Sequence, residues 1–132
     1  MLWKAFRALS THAEKSLTRT GLGSSDFRAL EVLLHKGPLP VNTIGPKVGL
    51  TPGSISVAID RLVKKTLASR ENDDEDRRLR IVRLTPKGRT LISKIFDEHA
   101  AAMEEATRAL SRDERVTLIG LLRKLGKAAQ PD

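Results

Sequence analysis

Hydroxyl, guanidinium and ammonium side chains gather in the middle of this 132-residue chain. One run supplies Thr51, Ser54, Ser56, Val57, Arg61 and Lys64, and a second supplies Arg70, Arg77, Arg78, Arg80 and Arg83. These groups can hydrogen-bond phosphate oxygens and base edges, and Val57 is the kind of apolar residue that packs on a thymine methyl. Charge follows the same geography. Residues 47–89 carry eleven Lys/Arg against six Asp/Glu, residues 1–46 six against three, and residues 90–132 seven of each. The net charge of +8 therefore lies away from the C-terminal third, where it attracts phosphate by releasing condensed counterions. The plainer alternative is a basic protein kept soluble by its charge.

Other chemistries have little to work with. Without Cys the chain has no disulfide framework, thiolate zinc finger or thiol redox sensor. Three His stand far apart in sequence, and neither HExxH nor a phosphate-cradling glycine loop is present, so the reading is a non-enzyme with no cofactor and no metal site. His12, His35 and His99, with Asp97 or Glu98, leave a metal sensor as a minor alternative, although a lone His on a helix is more simply surface or core. Aromatics make up only 3 % with no Tyr, which is thin for a platform that stacks single-stranded bases. The opening Met1–Arg7 lacks the apolar core of a signal peptide, and no window is long and apolar enough to span a membrane. The expected location is the cytoplasm, with no membrane partner.

An apolar content of 39 % and a charged content of 30 % suit one ordered globular domain. A first helix follows from Trp3, Phe6, Leu9, Ala13 and Leu17, ending near Gly21-Leu22-Gly23. Ser24-Ser25-Asp26 offers N-caps for a second helix with Phe27, Leu30, Leu33 and Leu34 inward, stopped by Gly37-Pro38. A short third helix fits Val41 to Val48, with Gly45-Pro46 weakening it. The fourth helix is the best signalled: Thr51 caps it and Pro52 occupies its first position. Ile55, Ile59, Leu62 and Thr66 share one side, flanked by Ala58 and Val63, while Gly53, Val57, Asp60, Arg61 and Lys64 point outward. Strand-like runs at 67–71 and 79–85 enclose a charged turn at 72–78. Thr85-Pro86 opens a fifth helix with Leu91, Ile92, Ile95, Phe96, Met103 and Ala106 inside. Ser111 and Glu114 form a capping box for a sixth, which carries Val116, Ile119, Leu122 and Leu125.

The fold class is mainly α with a small β-hairpin, α+β. Two helices joined by Gly49-Leu50-Thr51-Pro52 make a helix-turn-helix whose second helix fits the major groove, with free N–H groups at its start to hold phosphate. Ser54 and Ser56 can donate to phosphates or bases, and Arg61 and Lys64 extend the same face. Structural alternatives stand beside these roles: Ser54 capping only, Arg61 pairing only with Asp60. The hairpin brings Arg77 and Arg78, backed by Arg70, Arg80 and Arg83, over the adjacent minor groove, which attracts Arg where it is narrow. Its acids oppose this, and the expected resolution has Asp76 pairing with a neighbouring Arg to organise the wing while Asp73 and Asp74 face solvent.

The run from Asp76 to Gly88, DRRLRIVRLTPKG, resembles the wing signature of the MarR family of bacterial regulators, and Leu50 to Lys65, LTPGSISVAIDRLVKK, resembles its recognition helix. The likeness in element order covers almost the whole chain. It implies a winged helix-turn-helix lobe at 24–85, with recognition helix about 51–65 and wing about 67–85, and a helical dimerisation region at 1–20 and 86–132. It further implies a homodimer on a pseudo-palindromic double-stranded DNA operator, commonly a repressor released by a small-molecule effector. Carried onto this sequence, Ser54, Ser56, Val57 and Arg61 become recognition-helix contacts, and Arg77 and Arg78 become wing contacts. The family's effector crevice lies where dimerisation helices meet the DNA-binding lobe. Trp3, Phe6, His12, Phe27 and His35 are candidates there, each equally readable as core or surface.

Two departures stand out. Thr66 occupies the position after the recognition helix where the family commonly has Gly, a residue ill suited to a left-handed cap, so a differently shaped helix end is expected. The N-terminus is also short. The balanced charge of the last third suits subunit packing, with packing inside one monomer as the alternative. A two-fold axis sets recognition helices about 34 Å apart. Rival functions are a protein-interaction adaptor on a winged-helix scaffold and a sequence-independent nucleoid-type DNA binder.

Overall fold

The computed structural model describes residues 1–130. Its elements follow the order α1 (Leu2–Leu17), α2 (Ser24–Lys36), β1 (Leu39–Pro40), α3 (Val41–Val48), α4 (Pro52–Lys64), β2 (Ala68–Asn72), β3 (Arg80–Leu84), α5 (Pro86–Ala106) and α6 (Arg112–Ala128). All six sequence-expected helices and the hairpin are present. The two-residue β1 was not anticipated, because a Leu-Pro pair has no strand periodicity of its own. It exists by pairing antiparallel with β3, Leu39 opposite Val82, and makes β3 the central strand of a β1-β3-β2 sheet.

The core lies under the helix-turn-helix. Leu30 and Leu33 of α2, Ile44 of α3, Ile55, Ile59 and Leu62 of α4, Val82 of β3 and Ile92 of α5 are buried together. Ala58 lies in the same buried face of α4, and Val57 stands outside it, 54 % exposed, as the 3.6-residue period requires. Thr66 does not join that face; it is exposed beyond the helix end. The turn between α3 and α4 depends on Gly49, whose φ of 70° is left-handed and open to glycine at little cost.

Two expectations about helix ends are corrected. The N-cap of α2 is Gly23, with no side-chain cap, and Ser24, Ser25 and Asp26 are already helical. Asp26 turns inward instead, for a reason given below. At the end of α4, Thr66 does adopt the left-handed conformation, with φ 61°, alone among the described non-glycine residues. Thr66 N–H donates to Val63 O at 2.9 Å and Leu67 N–H to Leu62 O at 2.9 Å, the pair of bonds that closes a Schellman motif. The helix end thus keeps its ordinary shape despite the residue placed there.

That end is tied directly to α5. Thr85 Oγ1 accepts from Gly88 N at 3.0 Å and donates to Thr66 O at 2.6 Å, while Thr85 N donates to Leu67 O. On its other flank α5 meets α1 and α2: the Phe27 and His99 rings lie 4.7 Å apart, as do His35 and Phe96, and Ser16 Oγ is 2.6 Å from His99 Nδ1. The last helix behaves differently. Ser111 and Glu114 form the anticipated capping box, but no residue of α6 is buried. Val116, Ile119, Leu122 and Leu125, the apolar positions expected of this helix from the sequence, are exposed in the single chain. Within the single chain α6 is held to α5 mainly through Arg115, which pairs with Glu104 and donates to Thr107 O, and its apolar positions are left uncovered.

Candidate nucleic-acid interface

Helix α4 starts with a doubly used cap. Thr51 Oγ1 accepts from Ser54 N at 3.1 Å and donates to Ser54 Oγ at 2.9 Å. Thr51 thus does the capping that was an alternative role for Ser54, and the Ser54 hydroxyl hydrogen stays available to an outside acceptor. Pro52 at the first position needs no N–H partner.

Two open clefts flank this helix and divide the sequence-expected contacts between them. One, of about 480 Å³, collects Thr51, Ser54, Val57 and Arg61 with Ser25 of α2. The other, of about 430 Å³, lies between α3, α4 and the hairpin and collects Ser56, Arg70, Arg78 and Arg80. Of the remaining expected contacts, Lys64 is exposed in the last turn of α4 and Arg77 is exposed at the hairpin tip. Exposed hydroxyls and cations thus lie on both sides of a helix that carries one exposed valine, which is a surface able to meet phosphates and a thymine methyl together.

Adjacent residues of α4 hold the helix from opposite sides. Arg61 does not pair with Asp60. Its Nη2 and Nε donate to both carboxylate oxygens of Asp26 on α2, at 2.8 to 3.3 Å. Asp26 is only 3 % exposed, and burial of a carboxylate requires such a partner. The hydrogen bond and the charge of Asp26 both raise the Arg61 pKa above its ordinary value. Asp60 pairs across the helix with Arg70 of β2 at 2.7 Å. This exposed pair adds little stability, about 1 kcal/mol at most, but it orients Arg70 beside the wing cleft. Neither pairing was legible in the sequence. Asp26 reads as a cap residue, and only the approach of α2 to α4 reveals its partner.

The hairpin tip is organised by two acids rather than one. Asp76 Oδ1 accepts from Arg78 N at 3.0 Å, and the Arg78 guanidinium Nε stands 3.9 Å from it. The expected organising role of Asp76 is thus exercised chiefly through the backbone N–H. Asp73, expected to face solvent, is half-buried and accepts from Asp76 N at 3.4 Å. Asp74 and Glu75 remain exposed. Arg83 pairs with Glu71 across the strands at 3.5 Å, whereas Arg77 has no ion pair among the described residues.

The effector candidates are dispersed. Phe27 is core; His12 and His35 are exposed; Trp3 and Phe6 are exposed at the start of α1. Trp3 and Phe6 instead line a wholly apolar cleft of about 600 Å³ with Leu2, Leu118 and Leu122. No three His, Asp or Glu side chains gather in metal-binding geometry among the described residues, and His99 is engaged with Ser16 and Phe27. No described helix is long and apolar enough to cross a membrane.

This geometry has relatives. The MarR family model matches residues 22–79. The HTH-type transcriptional regulator MhqR of Bacillus subtilis (strain 168) is 35 % identical over 130 residues, which is 98 % of this chain and 90 % of MhqR. Among solved structures, Bordetella bronchiseptica BpsR, whose DNA binding is regulated by 6-hydroxynicotinic acid, is similar with a TM-score of 0.85 at 24 % identity, over 95 % of this chain and 89 % of that one. A mutant MarR from E. coli complexed with operator DNA gives 0.83 at 21 % identity, over 94 % and 89 %. The structural likenesses establish the fold. Because the MhqR match runs through nearly the whole of both chains and the family model falls on the lobe that holds both clefts, the chain belongs to the MarR family of transcriptional regulators.

Proposed function

We propose that the protein is a homodimeric repressor that binds a pseudo-palindromic operator in double-stranded DNA. The observation that carries this reading is the pair of clefts astride α4, which together hold Thr51, Ser54, Val57 and Arg61 on one side and Ser56, Arg70, Arg78 and Arg80 on the other. In this reading α4 enters the major groove, Val57 meets a thymine methyl, and Ser54, Ser56 and Lys64 hold phosphates or base edges. Arg77 and Arg78 cross to the minor groove from a tip that Asp76 keeps folded. Residues 24–85 form the DNA-binding lobe, and residues 1–20 and 86–132 form the dimerisation region. The exposed apolar positions of α6 and of the start of α1 support that division. The protein acts as a binder without a catalytic step, in the cytoplasm.

Release by a small molecule completes the reading. It is supported by BpsR, whose DNA binding 6-hydroxynicotinic acid regulates, and the chain's lack of Cys leaves thiol oxidation out.

Selection from a random duplex pool, repeated at two salt concentrations, tests the proposal. An enriched inverted repeat with half-site centres about 10 base pairs apart is the expected result. Salt-sensitive binding with no enriched sequence selects a nucleoid-type binder instead. Absence of duplex binding selects the adaptor.

A further inference from the structure

Asp26 lies beneath the surface that meets DNA, yet it holds one of that surface's cations. Resting on the operator-binding reading, we propose that Asp26 is a positioning residue for operator recognition: it fixes the Arg61 guanidinium so that the free edge meets a backbone phosphate beside the start of α4.

The geometry divides Arg61 into two edges. Nε and one Nη2 hydrogen are committed to Asp26, with contacts of 3.2 and 3.3 Å from Nε and 2.8 Å from Nη2. The Nη1 hydrogens and the second Nη2 hydrogen remain. A guanidinium is planar, so pinning one edge sets the direction of the other. The Arg61 side chain is 48 % exposed, while that of Asp26 is 4 % exposed, so the pinned edge is inside and the free edge outside. The same cleft contains Ser54 and Ser25, whose hydroxyls can donate to the same phosphate, while the Thr51 hydroxyl is spent on Ser54.

A buried ion pair is a weak source of stability against an apolar pair of similar volume. Its distinctive contribution is fixed geometry. Asp26 also stands in the first turn of α2, where the helix dipole favours a carboxylate. Because α2 is packed in the core, the carboxylate gives Arg61 a rigid reference across the α2–α4 junction. Phosphate contacts set the register of a protein on its duplex, so an Arg held in advance favours the one complex whose phosphate lies in line with it.

Charge alone predicts the opposite sign. Removing a carboxylate near DNA reduces repulsion and tightens binding to any duplex. Positioning predicts that the gain is absent on the operator, where Arg61 must be in place before contact, and present only on unrelated DNA, where a loose Arg61 still finds a phosphate.

The test uses the duplex enriched by the unmodified protein and a scrambled duplex of equal length, with binding followed by fluorescence anisotropy at one salt concentration. Asp26→Asn is expected to weaken the enriched duplex about tenfold, the scale of one charge-assisted hydrogen bond, and to leave the scrambled duplex unchanged or bound more tightly. Arg61→Lys keeps the charge and removes the planar fork, so it is expected to show the same selective loss. The double variant is expected to bind no more weakly than Arg61→Lys, because Asp26 acts through Arg61. Circular dichroism establishes that each variant is folded; should Asp26→Asn not fold, Asp26→Glu, which keeps the charge and displaces the carboxylate from the guanidinium, takes its place with the same selective loss expected. Equal weakening or equal tightening of both duplexes overturns the role of Asp26, as does an Arg61→Lys variant that binds both like the unmodified protein. Failure of the unmodified protein to enrich any sequence overturns the operator reading itself, and with it this role.

Discussion

Thr66 is a β-branched residue held at φ 61°, a conformation that costs a non-glycine residue about 1–2 kcal/mol. The Schellman bonds around it and the Thr85 hydroxyl on its carbonyl keep it there. Thr66→Gly is expected to stabilise the fold by about 1 kcal/mol, read as a higher urea midpoint; an unchanged or lower midpoint shows that the conformation is not strained. Asp76 illustrates the reverse case, a residue whose chemistry looks wrong until its bonds are seen. Its carboxylate occupies the Arg78 N–H, so Asp76→Ala loosens the tip that carries Arg77 and Arg78. Weaker operator binding is expected although a negative charge has been removed, and binding that is unchanged or tighter in a titration rejects the organising role.

At the scale of elements, α4 was legible because its signals are local. A Thr-Pro start, a 3.6-residue apolar period and a valine out of phase with it all lie within fourteen residues, 51–64. The junction between hairpin and α5 is not local. A Cβ placed on Gly88 comes within 1.9 Å of Leu67 O, so the first turn of α5 packs against backbone where no side chain fits. Gly88→Ala must shift that backbone, and the expected loss is about 3 kcal/mol, the upper part of the range for overpacking. Thermal unfolding measures it, and a loss below about 1 kcal/mol shows that the junction yields easily. The same junction holds the end of α4, so the variant is also expected to weaken operator binding. Pro46 inside α3 and the brief β1 show how packing overrides weak propensity. Their neighbours α4 and β3 hold segments that carry little intrinsic preference.

For the whole molecule, the exposed apolar positions of α6 bear on assembly. Val116, Ile119, Leu121 and Leu125 are all more than half exposed in the protomer, with Trp3 69 % exposed nearby in the chain's first turn. Exposed apolar side chains in this number call for a partner, and the dimer of the proposed function supplies it. Leu122 lines the apolar cleft with Trp3 and Phe6. Leu122→Glu is therefore expected to give a monomer by sedimentation at micromolar concentration and to abolish operator binding, while the lobe at 24–85 stays folded. Trp3 is the single tryptophan, so the same change is expected to move its emission to longer wavelength. A Leu122→Glu protein that remains dimeric places the interface elsewhere.

The sequence by itself determined the order of the six helices and the hairpin, the capped α4 with Val57 outward, the arginines of the hairpin and the likeness to MarR regulators. Each of these is written in short-range patterns: a cap, a period, a turn, a contiguous motif. Only the tertiary structure decided which charge meets which. Asp60 and Arg61 are neighbours in sequence, yet a helix turns them to opposite flanks, where one finds Arg70 on β2 and the other finds Asp26 on α2. The Asp26 and Arg61 positions are 35 residues apart, and no local pattern encodes a contact across that distance. The same reason applies to α6, whose apolar stripe reads in the sequence as a face to be buried, between subunits or within one, and is exposed in the single chain. Periodicity reports that a face is to be buried; the arrangement of the chain in space decides what buries it.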